Sequence, residues 1–129
     1  MLSRFVGVLK IEDLKIKLKV EDMIKYAYSA IVQFPKSEKY ALGTDIKRTM
    51  NRILELVITA NKQEKHEKRE REAALKALYI EVEKLKTYIR LSHNLNFLPI
   101  KKYEHWSKLA VEIGKMLGGW IKSQSTSAK

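Results

Sequence analysis

The sequence predicts an all-α protein, an antiparallel up-and-down four-helix bundle, and three observations carry that prediction. Four stretches repeat apolar residues at alternating steps of three and four, the spacing that gathers side chains into a stripe along one side of a helix. The breaks between these stretches are short and hold proline, glycine, asparagine or dense charge. At 129 residues the chain is long enough to bury one modest core and too short for two.

The elements follow in chain order. LKIKLKV at 14–20 alternates apolar side chains with Lys15, Lys17 and Lys19, the period of a strand with one basic edge, so residues 1–19 are expected to form an extended or disordered arm. Val20, Ile24, Ala27, Ile31 and Phe34 form the first seam and predict a helix over 20–34. Pro35 stops it, and Ser37 ahead of Glu38 reads as a start signal for a second helix over 40–64, with Ile46, Met50, Ile53, Val57 and Ala60 as its seam and Gly43 as a breaker near its start. The charged run at 61–72 places Glu64/Lys68 and Glu67/Arg71 four apart, compatible with a bend or with a continuous helix.

Leu75, Leu78, Val82, Leu85 and Ile89 define a third helix over 67–93, and NLNFLP at 94–99 ends it. Trp106, Ala110, Ile113, Leu117 and Trp120 define a fourth over 100–123. The bundle therefore spans 20–123 and residues 124–129 are expected to be a disordered tail. Within the fourth helix Gly114 and Gly118 lie four apart, each costing about 1 kcal/mol relative to alanine. Close approach of another backbone, from this chain or a neighbouring subunit, is the expected offset, favoured over a helix end frayed at Gly118 and Gly119 because Trp120 and Ile121 carry the seam onward.

Composition excludes much chemistry. Cysteine is absent, which removes disulfides, thiolate metal sites and cysteine nucleophiles, and suits a reducing cytoplasm. No run approaches the roughly 18 apolar residues of a membrane span. A di-iron bundle needs a glutamate three residues before a histidine, but Gln63, Arg90 and Lys102 precede His66, His93 and His105, so no metal or cofactor is expected. Neither a catalytic triad nor a glycine-rich phosphate loop occurs, and Glu55 and Glu112, beside their seams, read as surface charges rather than an acid–base pair. The expectation is a protein that is not an enzyme.

What remains is positive charge. Lysines and arginines number 26 against 15 acids, a net charge of +11 that attracts polyanions. The excess is spread along the chain rather than held in a detachable tail. Lys47, Arg48 and Arg52 on the second helix, Lys86 and Arg90 on the third, and Lys101 and Lys102 opening the fourth are candidate phosphate contacts. His105, beside Trp106, is a weaker candidate for stacking on a base. A protein-only scaffold that docks an acidic partner fits the same charge.

FPKSEKYALGTDIKRTMNRILELVITANK at 34–62 and KKYEHWSKLAVEIGKMLGGWIK at 101–122 resemble the accessory variability determinant (Avd) proteins of diversity-generating retroelements. Those are relatives of the four-helix proteins encoded in large-subunit rRNA intervening sequences. The similarity covers residues 22–124 and finds no counterpart for 1–19. It implies a bundle assembled into a basic homopentameric barrel that associates with the element's reverse transcriptase and template RNA, and supports mutagenic cDNA synthesis without being the polymerase. An intervening-sequence relative would share the fold and lack the reverse transcriptase partner.

Overall fold

A computed structural model describes residues 11–62 and 67–127, which form four long helices and one single-turn helix. They are α1 (Ile11–Ile31), α2 (Lys36–Lys39), α3 (Leu42–Lys62), α4 (Lys68–Asn94) and α5 (Ile100–Ser127). No strand occurs among the described residues. Cross-helix contacts fix the directions. Tyr26 and Lys19 of α1 meet His105 and Glu112 of α5. Arg71 and Val82 of α4 meet Gln124 and Gly114 of α5. In both sets, positions rise along one helix as they fall along the other. The same holds for Tyr28 and Ile31 against Lys47 and Gly43, so α1 runs antiparallel to α3 and α5, and α4 to α5.

The predicted seams of α3 and α4 are buried without exception, as are Trp106, Ala110, Ile113 and Leu117 of α5, while Trp120 is half-buried at the rim. Aliphatic and aromatic side chains of this kind each stabilise the fold by roughly 1.5–3 kcal/mol when fully buried. Two buried hydroxyls sit among them. Thr49 donates to the Asp45 carbonyl and Ser92 to the Tyr88 carbonyl, so neither leaves an unmet donor in the core.

The first helix departs from expectation. Residues 11–19 are helical and belong to the bundle, not to an extended arm. Its buried residues are Ile16, Val20, Met23, Ala27, Ala30 and Ile31, with Phe34 just beyond, whereas Ile24 of the expected seam is only half-buried. Alternation at 14–20 misled because Ile16 and Val20 satisfy both a period of two and a step of four. An isolated strand would leave its backbone unpaired, whereas a helix carries Ile16 and Val20 onto the core. Lysines 15, 17 and 19 accordingly fan around α1: Lys17 pairs with Glu21 and Lys19 crosses to Glu112, each at 2.8 Å. Residues 1–10 lie outside the described residues.

The ends also shift. α1 stops before Pro35, and Ser37 falls inside the single-turn α2, whose N-cap position is Pro35, so the long second helix starts at Leu42 instead of 40. α3 ends at Lys62 and α4 begins at Lys68. Asp45 to Arg52 of α3 line a groove with Glu81 to Tyr88 of α4, so the two helices pack side by side and are not one continuous helix. The Glu64/Lys68 pairing and His66 lie outside the described residues. Asn96, with φ 67°, makes the left-handed turn that lets Leu98 tuck into the core before α5. α5 runs on to Ser127, so 124–127 continue the helix instead of forming a tail. Residues 128–129 lie outside the described residues.

Two glycines behave oppositely. Gly43 does not break α3 but sits buried in its first turn, where an added Cβ would lie 3.0 Å from the Ile31 side chain and 3.3 Å from the Glu38 carbonyl oxygen. It lets α1, α2 and α3 meet closely. A Cβ added at Gly118 would meet nothing within 4 Å beyond its own helix backbone, and one at Gly114 only Val82 at 3.9 Å, so among the described residues the expected close backbone approach is absent at both. Gly43→Ala is therefore expected to cost about 1–2 kcal/mol net, overpacking outweighing helix propensity, and Gly118→Ala to stabilise the isolated chain by up to about 1 kcal/mol. Thermal melts of the two variants check this. A Gly118→Ala variant that melts lower would mean that this face is covered in the assembled protein.

Candidate nucleic-acid interface

The folded chain concentrates a charge that the linear sequence spreads out. The bundle end that carries the α1–α3 and α4–α5 connections comprises residues 22–48 and 86–108, with ten lysines and arginines against four acids and both described histidines. The remaining described residues hold twelve against ten. Antiparallel packing does this, because it brings the end of α1, the start of α3, the end of α4 and the start of α5 to one level. A surplus gathered at one end produces a stronger local potential than the same charge strung along a rod.

Six of the seven candidate phosphate contacts fall at this end, and Arg52 lies one turn of α3 beyond it. They form a belt around the bundle rather than one patch. Lys47 sits between α1 and α3, its ammonium 4.7 Å from the centre of the Tyr28 ring. Arg48 and Arg52 line a shallow groove of about 370 Å³ between α3 and α4. Arg48 is 78% exposed and only loosely held by Asp45 at 3.8 Å, whereas Arg52 pairs with Glu55 at 3.1 Å.

Lys86 lies in the groove between α4 and α5, 2.7 Å from Glu83, and the exposed Arg90 follows one turn later on the same flank. Lys101 is exposed at the start of α5. Lys102 leans toward α1, 5.7 Å from the Tyr26 ring centre. These contacts are surface pairs that a polyanion can displace, since exposed ion pairs contribute little.

Aromatic and imidazole groups reinforce this end. His105 tilts against Tyr26 with ring centres 4.4 Å apart. Burial pushes the Tyr26 phenol above its usual pKa, so it stays a neutral hydrogen-bonding group. His93 stacks on Tyr103 at 4.5 Å, and its Nδ1 lies 3.1 Å from the Leu98 carbonyl oxygen, which braces the turn before α5. Farther along the bundle, the hydrogen bond and charge of Lys19 hold the Glu112 carboxyl below its ordinary range, while Lys19 itself is raised. Glu112 is thus a brace between α1 and α5, and Glu55 is the partner of Arg52. Among the described residues, no three histidines or carboxylates converge as a metal would require.

Lys84 is a cation that sequence reasoning passed over. It faces Arg48 and Arg52 across the α3–α4 groove, together with Glu81 and Tyr88. Seeing it requires the register between the two helices, which the spacing of seams does not supply. Lys36 and Lys39 were missed differently. They belong to the one-turn helix inside a stretch read only as a start signal. Gly114 lines the same α4–α5 groove as Lys86, with Tyr79 and Val111, whereas the exposed Gly118 and Trp120, which packs against the core, stand farther from the basic end.

No described helix is long and apolar enough to cross a membrane. No curated protein matches the chain. A family model described as bAvd-like matches residues 14–124, and so takes in most of α1, including residues for which the sequence resemblance offered no counterpart. That span exceeds half of the 129 residues and runs through every helix, and the chain belongs to the bAvd-like family.

Proposed function

We propose that this protein is a non-catalytic accessory factor of a diversity-generating retroelement, which binds nucleic acid through its basic end and docks the element's reverse transcriptase, as a homo-oligomer. The observation that carries the nucleic-acid part is the convergence of ten basic residues with only four acids at one end of the bundle. Phosphate neutralisation with counterion release needs no more elaborate chemistry than that. Family membership supports the accessory role. The exposed Gly118, beside a groove lined by Tyr79 and Val111, supports assembly, because it leaves a smooth flank on which another helix can lie.

The test is co-expression with the reverse transcriptase that this proposal requires the same retroelement to encode, followed by sizing with and without nuclease. A complex of the two proteins that also retains RNA is the expected result. Two proteins that elute separately under both conditions, with this one still retaining RNA, would instead favour a bundle of the rRNA intervening-sequence kind. Failure to retain any RNA, together with capture of an acidic protein, would favour a protein-only scaffold.

A further inference from the structure

We propose that the corner formed by α1, α2 and the start of α3 is a stacking site for unpaired nucleic-acid bases, so that the protein prefers single strands to duplexes. The inference rests on the nucleic-acid reading above and specifies the form of the ligand. Tyr28 stands on the outward side of α1 at 50% exposure, Val32 in the turn that follows it is 65% exposed, and Tyr40, at the C-cap of α2, is 76% exposed. Lys47 lies over the Tyr28 ring, and Lys36 and Lys39 occupy α2 immediately before Tyr40.

Nothing in the fold requires apolar surface here. The core beneath is closed by Ile31, Phe34 and Gly43, and the tyrosines lie outside it. Duplexes hide their base faces and offer a protein phosphates and groove edges, so this apolar surface would be idle against one. An unpaired strand offers π-faces between phosphates, and aromatic rings interleaved with cations match both. The Lys47 contact shows that the Tyr28 face accepts an occupant. A base can take that face while the lysine's flexible stem carries its ammonium to a neighbouring phosphate, the stack outweighing the exposed cation–ring contact it displaces. Of the nearby carboxylates, Asp45 is turned to Arg48 and Glu38 belongs to α2 itself.

Fluorescence polarisation with three probes of equal phosphate number decides the matter: an oligothymidylate, an abasic deoxyribose-phosphate strand and a duplex. The full chain is expected to bind oligothymidylate more tightly than the abasic strand. Tyr28→Ala and Tyr40→Ala should each weaken oligothymidylate binding roughly tenfold and leave the other two probes unchanged, while Tyr28→Phe and Tyr40→Phe keep the preference. Both side chains are exposed, so thermal melts should not move.

Equal affinity for all three probes, unaffected by either alanine, would overturn the stacking site and leave the charge-driven reading standing. Binding to none of them would remove both. Unchanged nucleic-acid binding with loss of the oligomer on sizing would make the corner a protein contact and overturn the proposal.

Discussion

Reversing four exposed cations at the basic end, Lys36→Glu, Arg48→Glu, Arg90→Glu and Lys101→Glu, is expected to weaken RNA binding at low salt on the order of a hundredfold. Reversing four exposed cations elsewhere, Lys62→Glu, Arg69→Glu, Lys76→Glu and Lys115→Glu, is expected to cost less than about tenfold. All eight positions are exposed, and both sets lower the net charge of +11 by the same amount. Any difference therefore reports position and not total charge.

The basic-end set turns a local surplus of six, ten cations against four acids, into a deficit of two, whereas the other set acts where twelve face ten. Each exposed substitution should change stability by no more than about 0.5 kcal/mol, so thermal melts of the two variants should stay close to the parent. Equal loss of affinity in the two sets would mean that charge acts diffusely.

The largest stability effect is expected at Trp106. It is the largest of the fully buried side chains and sits in the core with Ala110, Ile113 and Leu117 along α5. Trp106→Ala should cost about 3–5 kcal/mol, because neighbours fixed on four helices relax only partly into the space left. At roughly 3–4 °C per kcal/mol for a chain of this size, the melting temperature should fall about 10–20 °C. The indole N–H has no hydrogen-bond partner among the described residues, and a buried unmet donor costs about 1–3 kcal/mol. Trp106→Phe should consequently be far milder than Trp106→Ala, since it removes that donor along with part of the ring. Similar melting temperatures for the two would show that the polar atom, and not the volume, governs this position.

Much of this fold is legible from periodicity alone, and the exceptions have physical causes. The seams of α3 and α4 read correctly because steps of three and four recur over four turns in each, longer than any alternating run within them. α1 reads poorly because lysines alternate with aliphatics through Lys19, and a strand and a helix then account equally for Ile16 and Val20. Exposed Leu14 and Leu18 complete that false alternation. Packing decides in favour of the helix, and packing is not visible in a short window.

The site was half legible. Residue type identified Lys47, Arg48, Arg52, Lys86, Arg90, Lys101 and Lys102 as exposed or partly exposed cations. Their convergence at one end depends on the antiparallel order of the helices, and their division among three grooves and the start of α5 depends on inter-helix register. Tyr28 beneath Lys47, and Lys84 opposite Arg48, follow only from that register. The exposed glycines show the converse. A spacing read as a sign of close packing leaves open space where a Gly118 side chain would stand, among the described residues.

The central claim is that surplus positive charge at one end of a helical bundle binds phosphodiester chains, and the salt dependence of RNA binding tests it most directly. Affinity of the intact protein should fall linearly on a double-logarithmic plot, with a slope of about −4 or steeper, corresponding to about six phosphates neutralised on a single strand. The basic-end variant should show a slope shallower by several units. A slope near zero for the intact protein, or an identical slope for the variant, would contradict the account.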